Sequence, residues 1–161
     1  KELSKKIAAA IVEFAVLQKA DCLVFEHLDF RSKKAHGSKA QKLTLWRKNG
    51  IQEYAEHKAH RCGIRVSHIC AWETSRLAYD GSGAVQRNEK NYALAVFQTG
   101  KQYNCDLSAS YNIGARYFVR ELLKPLPEKA RSALSAKVPG VQRRTLCTLN
   151  TLLRLNAALA A

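Results

Sequence analysis

The chain has 161 residues, enough for one domain with a buried core and room for a small insert. Its 27 Lys and Arg outweigh 13 Asp and Glu, giving a formal charge of +14. A surplus of that size favours a polyanionic partner held through counterion release, nucleic acid before a membrane surface or an acidic protein. No apolar run approaches the roughly 20 residues that a membrane-spanning helix needs, and no secretory leader is visible, so no membrane partner is expected. The five cysteines (Cys22, Cys62, Cys70, Cys105 and Cys147) are odd in number and form no C-x-x-C pair. That argues against a disulfide framework or a self-contained zinc site and points to a reducing, cytoplasmic setting. The sequence contains no Met and begins in mid-pattern at Lys1, as a piece of a longer protein would.

Leu3, Ile7, Ile11, Phe14 and Leu17 recur at three- and four-residue steps, which predicts a helix over 2–20. Residues 22–28 read as a buried strand rich in β-formers. Residues 31–48 carry seven Lys or Arg and no acid, and their first half, 31–38, reads as a Ser/Gly/Lys loop. The spacing of Leu43, Trp46, Ile51 and Tyr54 predicts a helix over 41–60, bent near Asn49-Gly50. Gly63 is its expected C-terminal stop. A second strand follows over 64–71, with Ile64, Val66, His68 and Cys70 on one side.

Between Glu73 and Cys105 the pattern changes to turns at 80–83 and 99–100. They separate short strands near 77–79, 84–86, 92–97 and 102–105, a hairpin insert. A helix is predicted over 106–124. Leu107, Tyr111, Ala115, Phe118 and Leu122 form its apolar stripe, and Arg116, Arg120 and Lys124 a basic stripe beside it. Pro125 and Pro127 end that helix, and 128–161 reads as further helix around a Pro139-Gly140 turn.

Two acids interrupt these elements. Glu26 sits in an otherwise apolar strand, a costly place unless something pairs with it. Asp106 stands at the mouth of the last predicted core helix. Carboxylates so placed are candidate ligands for Mg2+ or Mn2+ against phosphate, since paired ions both activate water and stabilise a departing oxygen. Blander roles are an exposed or Lys-paired strand end for Glu26 and an N-cap for Asp106. Ser108 and Asn112 would either touch the metal shell or, the favoured role, tie the helix to a neighbouring loop. His27, His36, His57, His60 and His68 lack metal-ligand spacing and read as surface or core residues. Trp46, Trp72 and Tyr54 are candidates for base stacking, but read more naturally as core.

The order of these motifs carries a resemblance. Glu26-His27-Leu28 closes a strand, and a basic linker and a Trp-bearing helix follow. The strand Gly63-Ile64-Arg65-Val66-Ser67-His68-Ile69 comes next, then Thr74-Ser75. The series ends in N-x-D-L-S-A-S-Y-N-I, from Asn104 to Ile113. Over roughly residues 1–123 this resembles the C-terminal half of the RuvC-like nuclease domain of TnpB-type transposon proteins and type V CRISPR effectors. The stretch from Asp106 to Ile113 is the most specific part.

The resemblance implies an α/β, RNase H-like core with Glu26 and Asp106 as the second and third catalytic acids. It also implies Mg2+-dependent cutting of DNA and selection of the target by a guide RNA. By the same likeness the domains are 1–72 and 106–124 (the core), 73–105 (the insert) and 125–161 (a helical tail). The family's first catalytic Asp lies upstream of any segment present. The core is therefore expected to be incomplete on its N-terminal side, and a further segment or chain is expected to complete it. Where the family carries two C-x-x-C knuckles, this chain has Arg76-Leu77-Ala78-Tyr79-Asp80-Gly81-Ser82-Gly83, with no Cys, and a shortened Thr99-Gly100-Lys101, so a ribbon-shaped hairpin without zinc is expected. Lys33, Lys34, Lys39, Arg116 and Arg120 are the candidate contacts to the phosphate backbone, with a solvated basic face as the plain alternative. Two competing readings remain: a catalytically inactive nucleic-acid-binding module of the same fold, and a small basic structural protein whose acids are only caps.

Overall fold

The computed structural model describes residues 2–27, 50–70, 72–143 and 145–161. The loop expected over 31–38, the start of the helix expected over 41–60, and Trp46 and His36 lie outside them. The chain is mixed α/β and divides into two compact units, Lys1–His68 and Ile69–Ala161. The expected organisation set the helix after residue 105 with the first segment. In the structure that helix shares a unit with the insert and the tail.

The first unit contains α1 (Glu2–Leu17), β1 (Cys22–His27), α2 (Ile51–Arg61) and the greater part of β2 (Arg65–Cys70), whose last two residues fall in the second; β1 and β2 are paired. The Arg65 N–H donates to the Asp21 carbonyl at 3.0 Å, so the two strands begin side by side. α1 packs on α2 through small side chains. Ala8, Val12 and Ala15 meet Ala55, Ala59 and Ile64, and Leu23, Phe25, Tyr54 and Val66 close over them.

The stripe whose spacing predicts α1 is not its inner face. The larger stripe lies outside, with Leu3 70%, Phe14 65% and Leu17 75% exposed. The reason is geometric, because alanines on both helices let the backbones approach where Leu and Phe would hold them apart. On β2 Ile69 is buried and Cys70 is exposed.

Both helices of this unit stop in the same way. After α2, the Gly63 N–H donates to the His60 carbonyl and the Ile64 N–H to the Ala59 carbonyl, with Gly63 at φ 73°. After α1, Lys19 donates to Val16 and Ala20 to Ala15, with Lys19 at φ 53°. These are Schellman closures, which need a left-handed residue after the cap. Gly63 adopts that conformation freely, whereas Lys19 strains its Cβ.

In the second unit, β3 (Gln86–Arg87), β4 (Leu94–Val96) and β5 (Gln102–Asn104) form an antiparallel sheet in that order. Ala95 is opposite both Arg87 and Tyr103. An antiparallel bridge between Leu77 and Ala84 precedes it. Ala78, Ala95, Phe97 and Cys105 are its core, with Tyr79, Val85 and Tyr103 packed around them. Its two turns are joined. Asp80 accepts the Ser82 N–H at 2.9 Å and the Thr99 hydroxyl at 3.5 Å, and the rings of Tyr79 and Phe97 meet edge-on at 5.6 Å.

β5 runs straight into α3 (Cys105–Leu123), followed by α4 (Glu128–Lys137), a 3-10 turn (Pro139–Val141) and α5 (Leu149–Ala160). Ala115 and Val119 of α3 share a second core with Leu134, Val138, Val141, Cys147, Leu152 and Leu155. Among the described residues no helix is long and apolar enough to cross a membrane.

The two helix closures give a direct comparison. Replacing Lys19 by Gly is expected to raise stability by about 1 kcal/mol, and replacing Gly63 by Ala to lower it by about 1 kcal/mol, because only the left-handed backbone is at stake. Nothing lies within 4 Å of a Cβ built on Gly63, so no clash adds to that cost. Urea midpoints moving in opposite directions for the two variants would bear this out.

Candidate functional site

Asp106 owes its position to the residue two places before it. The Asn104 side-chain oxygen accepts the N–H groups of Asp106 at 2.9 Å and Leu107 at 3.0 Å, so Asn104 is the N-cap of α3. The capping role open to Asp106 is thereby filled by another residue. Its carboxylate is exposed in the first turn, where the partial positive charge of the helix end favours an anion.

The inner face of the same helix is polar at four-residue steps. Ser108 donates to the Leu77 carbonyl at 3.4 Å. Asn112, with no exposed surface, donates to the carbonyls of Thr74 at 3.1 Å and Leu77 at 2.9 Å, and accepts the Leu149 N–H at 3.3 Å. Both side chains tie the helix to neighbouring loops, the role favoured for them.

Arg116 is a correction. Expected on a phosphate-facing stripe, it is only 6% exposed, and its guanidinium is surrounded by four backbone carbonyls. Nε donates to Cys147 at 3.2 Å, one terminal nitrogen to Cys70 at 2.8 Å and Trp72 at 2.7 Å, and the other to Thr145 at 2.6 Å. A planar fork of five donors suits this arrangement of acceptors, and burial removes it from any phosphate.

The expected apolar stripe is displaced for the same reason. Leu107, Tyr111 and Phe118 are exposed, while Ser108, Ala109, Asn112, Ala115, Arg116 and Val119 are buried. A spacing of Ser, Asn and Arg four apart, flanked by Ala and Val, was the signal for this inner face; taken as polar it reads as a solvent face.

Arg120 remains on the surface. It is 39% exposed, pairs with Glu121 at 3.0 Å and lies over the Tyr117 ring at 5.5 Å. Lys33, Lys34 and Lys39 lie outside the described residues. Trp72, read as core, is 66% exposed.

Glu26 stands half-buried in β1, one residue before the strand ends, and its carbonyl accepts the Gln52 side-chain N–H at 3.2 Å. It belongs to the first unit and Asp106 to the second. Each supplies a hard oxygen donor of the type Mg2+ takes. Among the described residues, no group of three or more His, Cys, Asp or Glu is gathered for a metal ion. His27, His57 and His60 are exposed, and His68 is half-buried with its ring 6.1 Å from Phe25.

Comparison with protein-family models and with curated proteins gives no match for this chain.

Replacing Arg116 by Met would strip donors from four carbonyls and is expected to cost on the order of 3 kcal/mol, seen as a lower urea midpoint. Arg116→Lys should recover little of this, since an ammonium cannot reproduce the fork.

A second expectation concerns Cys147, whose thiol burial pushes up to about 11 against the opposing pull of Arg116. The folded value lies above the unfolded 9.0, so this group's stabilisation is complete below about pH 9 and is lost as pH climbs through 11. Near pH 8, iodoacetamide should label the exposed Cys62 and Cys70 and spare Cys147 until the chain unfolds, as peptide mapping would reveal.

Proposed function

We propose that this chain is part of the RuvC-like catalytic domain of a metal-dependent DNA endonuclease, RNA-guided in its full protein, of the kind carried by TnpB-type transposons and type V CRISPR systems. The observation that carries the reading is the freedom of Asp106 from capping. The N-x-D segment assigns the cap to Asn104 and leaves the acid exposed at the helix mouth. The N-cap role is thereby filled without the acid, and a ligand role fits its chemistry. A half-buried Glu26 on an apolar strand and a net charge of +14 support the same reading.

In this reading Asp106 and Glu26 provide carboxylate oxygens for Mg2+ or Mn2+. When bound, such ions supply the charge that favours in-line displacement at phosphorus. The chain's own residues hold Asp106 in place. Asn104 fixes the start of α3, and Ser108 and Asn112 anchor its inner face, so the first turn keeps one orientation. Arg120 and the exposed Lys124 lie further along the helix as contacts for the phosphate backbone. The guide RNA and the DNA target are expected partners by the motif resemblance alone.

The test uses the whole chain. Millimolar Mg2+ or Mn2+ should raise the melting temperature of the unaltered protein by a few degrees, because an ion that binds only the native state stabilises it. Glu26→Gln and Asp106→Asn should each lose that rise, and in the full protein should lose DNA cleavage while keeping DNA affinity. Equal rises in all three proteins, or undiminished cutting by either variant, would remove the acids from a metal site.

A further inference from the structure

Gly114 stands in the interior of α3, where a glycine weakens a helix relative to alanine. Its backbone is right-handed helix, so no left-handed turn calls for it. Nor does any contact inside the chain. Beyond its chain neighbours and the helix's own backbone, no atom of the described residues lies within 4 Å of a Cβ built there. A missing side chain that nothing within the chain exploits leaves a hollow open to the outside. An isolated glycine of this kind lets the backbone of another helix approach closely.

The hollow lies in the row of α3 that faces away from the core. Leu107, Tyr111, Gly114 and Phe118 follow at steps of four, three and four residues, which keeps them on one side of the helix. Leu107 is 54% exposed, Tyr111 44% and Phe118 54%. The Tyr111 ring is braced by Tyr79 and Tyr103, with centroids 5.1 and 6.5 Å away, and Phe118 by Tyr117 edge-on at 5.3 Å. Side chains braced in this way lose little further freedom on being covered. Leu122, half-buried against the second core, ends the row.

The row is its own complement. A second α3 laid antiparallel on the first, with the two-fold axis beside Gly114, brings Tyr111 level with Phe118 of the other copy and Leu107 level with Leu122. The two hollows then meet at the axis, where the backbones come closest. Charge selects that direction. The exposed Asp106 stands in the first turn and the exposed Lys124 just past the last residue, so an antiparallel pair brings each within one residue of the other's level. A parallel pair would set like charges and like helix ends side by side. We infer that the outer face of α3 is a self-association surface, through which two copies of this chain pair antiparallel about Gly114. The pairing needs no metal at Asp106 and does not rest on the nuclease reading. Three open side chains and a hollow on each copy fall below the roughly 1,200–2,000 Å² that stable complexes bury, so the dissociation constant is on the order of tens of micromolar.

Sedimentation equilibrium of the whole chain, in EDTA and from about 2 to about 200 µM, reads the pairing directly. The average mass should climb from that of one chain towards that of two. Gly114→Ala should weaken the pair about tenfold, because two methyl groups then meet at the axis. The same variant should melt roughly 2–4 °C higher when dilute, since alanine favours helix and enters open space. A dimer lost from a better-folded chain is not lost through misfolding. Asp106→Lys and Lys124→Glu should each weaken self-pairing about fivefold, and an equal mixture of the two should recover it, because opposite charges then face each other across unlike copies.

A chain that keeps the mass of one copy throughout that range would overturn the pairing and leave the row to a different protein. A dimer whose constant Gly114→Ala leaves unchanged would overturn it too, since the copies would then meet elsewhere. A mixture of the two charge variants that pairs no more tightly than either alone would refute the antiparallel direction, and the two-fold arrangement with it.

Discussion

A buried positive charge ringed by backbone carbonyls underlies the second unit. The Arg116 guanidinium would be expelled from an apolar interior, yet four carbonyl dipoles converge on it with short hydrogen bonds. Those carbonyls come from two stretches far apart in sequence, Cys70 with Trp72 and Thr145 with Cys147. Each stretch leaves regular structure there and would otherwise have to find other donors for its backbone groups. The arginine satisfies both stretches at once, so Cys70, Trp72 and the entry to α5, all in the second unit, are fixed against one helix.

Asn112 and Ser108 extend that seam towards the helix start. They take up the carbonyls of Thr74 and Leu77, while Asn112 also receives the Leu149 N–H. The resulting ladder runs along one side of α3 and leaves the opposite side for Leu107, Tyr111 and Phe118. At the top, Asn104 closes the helix and Asp106 projects from it. The polar interior and the outward acid are thus two results of one helix being held along its length. Under the nuclease reading, a metal ligand needs that kind of fixed support.

Much of the element order was legible because local physics dictates it. The strand at 22–27, the stop at Gly63, the turns at 80–83 and 99–100 and the helix ended by Pro125 follow from β-formers, glycine and proline. Which face of each helix turns inward was harder to read. On α1 the heavier residues looked like core, but a helix partner lined with alanine selected Ala8, Val12 and Ala15 instead. On α3 Arg116 was grouped with a basic stripe, because hydrophobicity alone cannot foresee that distant carbonyls will gather around it. Asn104 was open to reading as the cap, being an Asn just before a helix, yet the acid after it drew the attention. The acids at 26 and 106 were visible as oddities within their elements, and their chemistry was argued from that oddity.

The alanine seam between α1 and α2 has a bearing on how this unit tolerates change. Ala8, Ala55 and Ala59 are almost wholly enclosed, so each extra methylene there must wedge two backbones apart. The outer row of Leu3, Phe14 and Leu17 meets no such wall, and its side chains can vary in size without disturbing the pair. Mutational drift along α1 is therefore lopsided, with volume frozen on the side of the least bulky residues and free on the side of the greasiest.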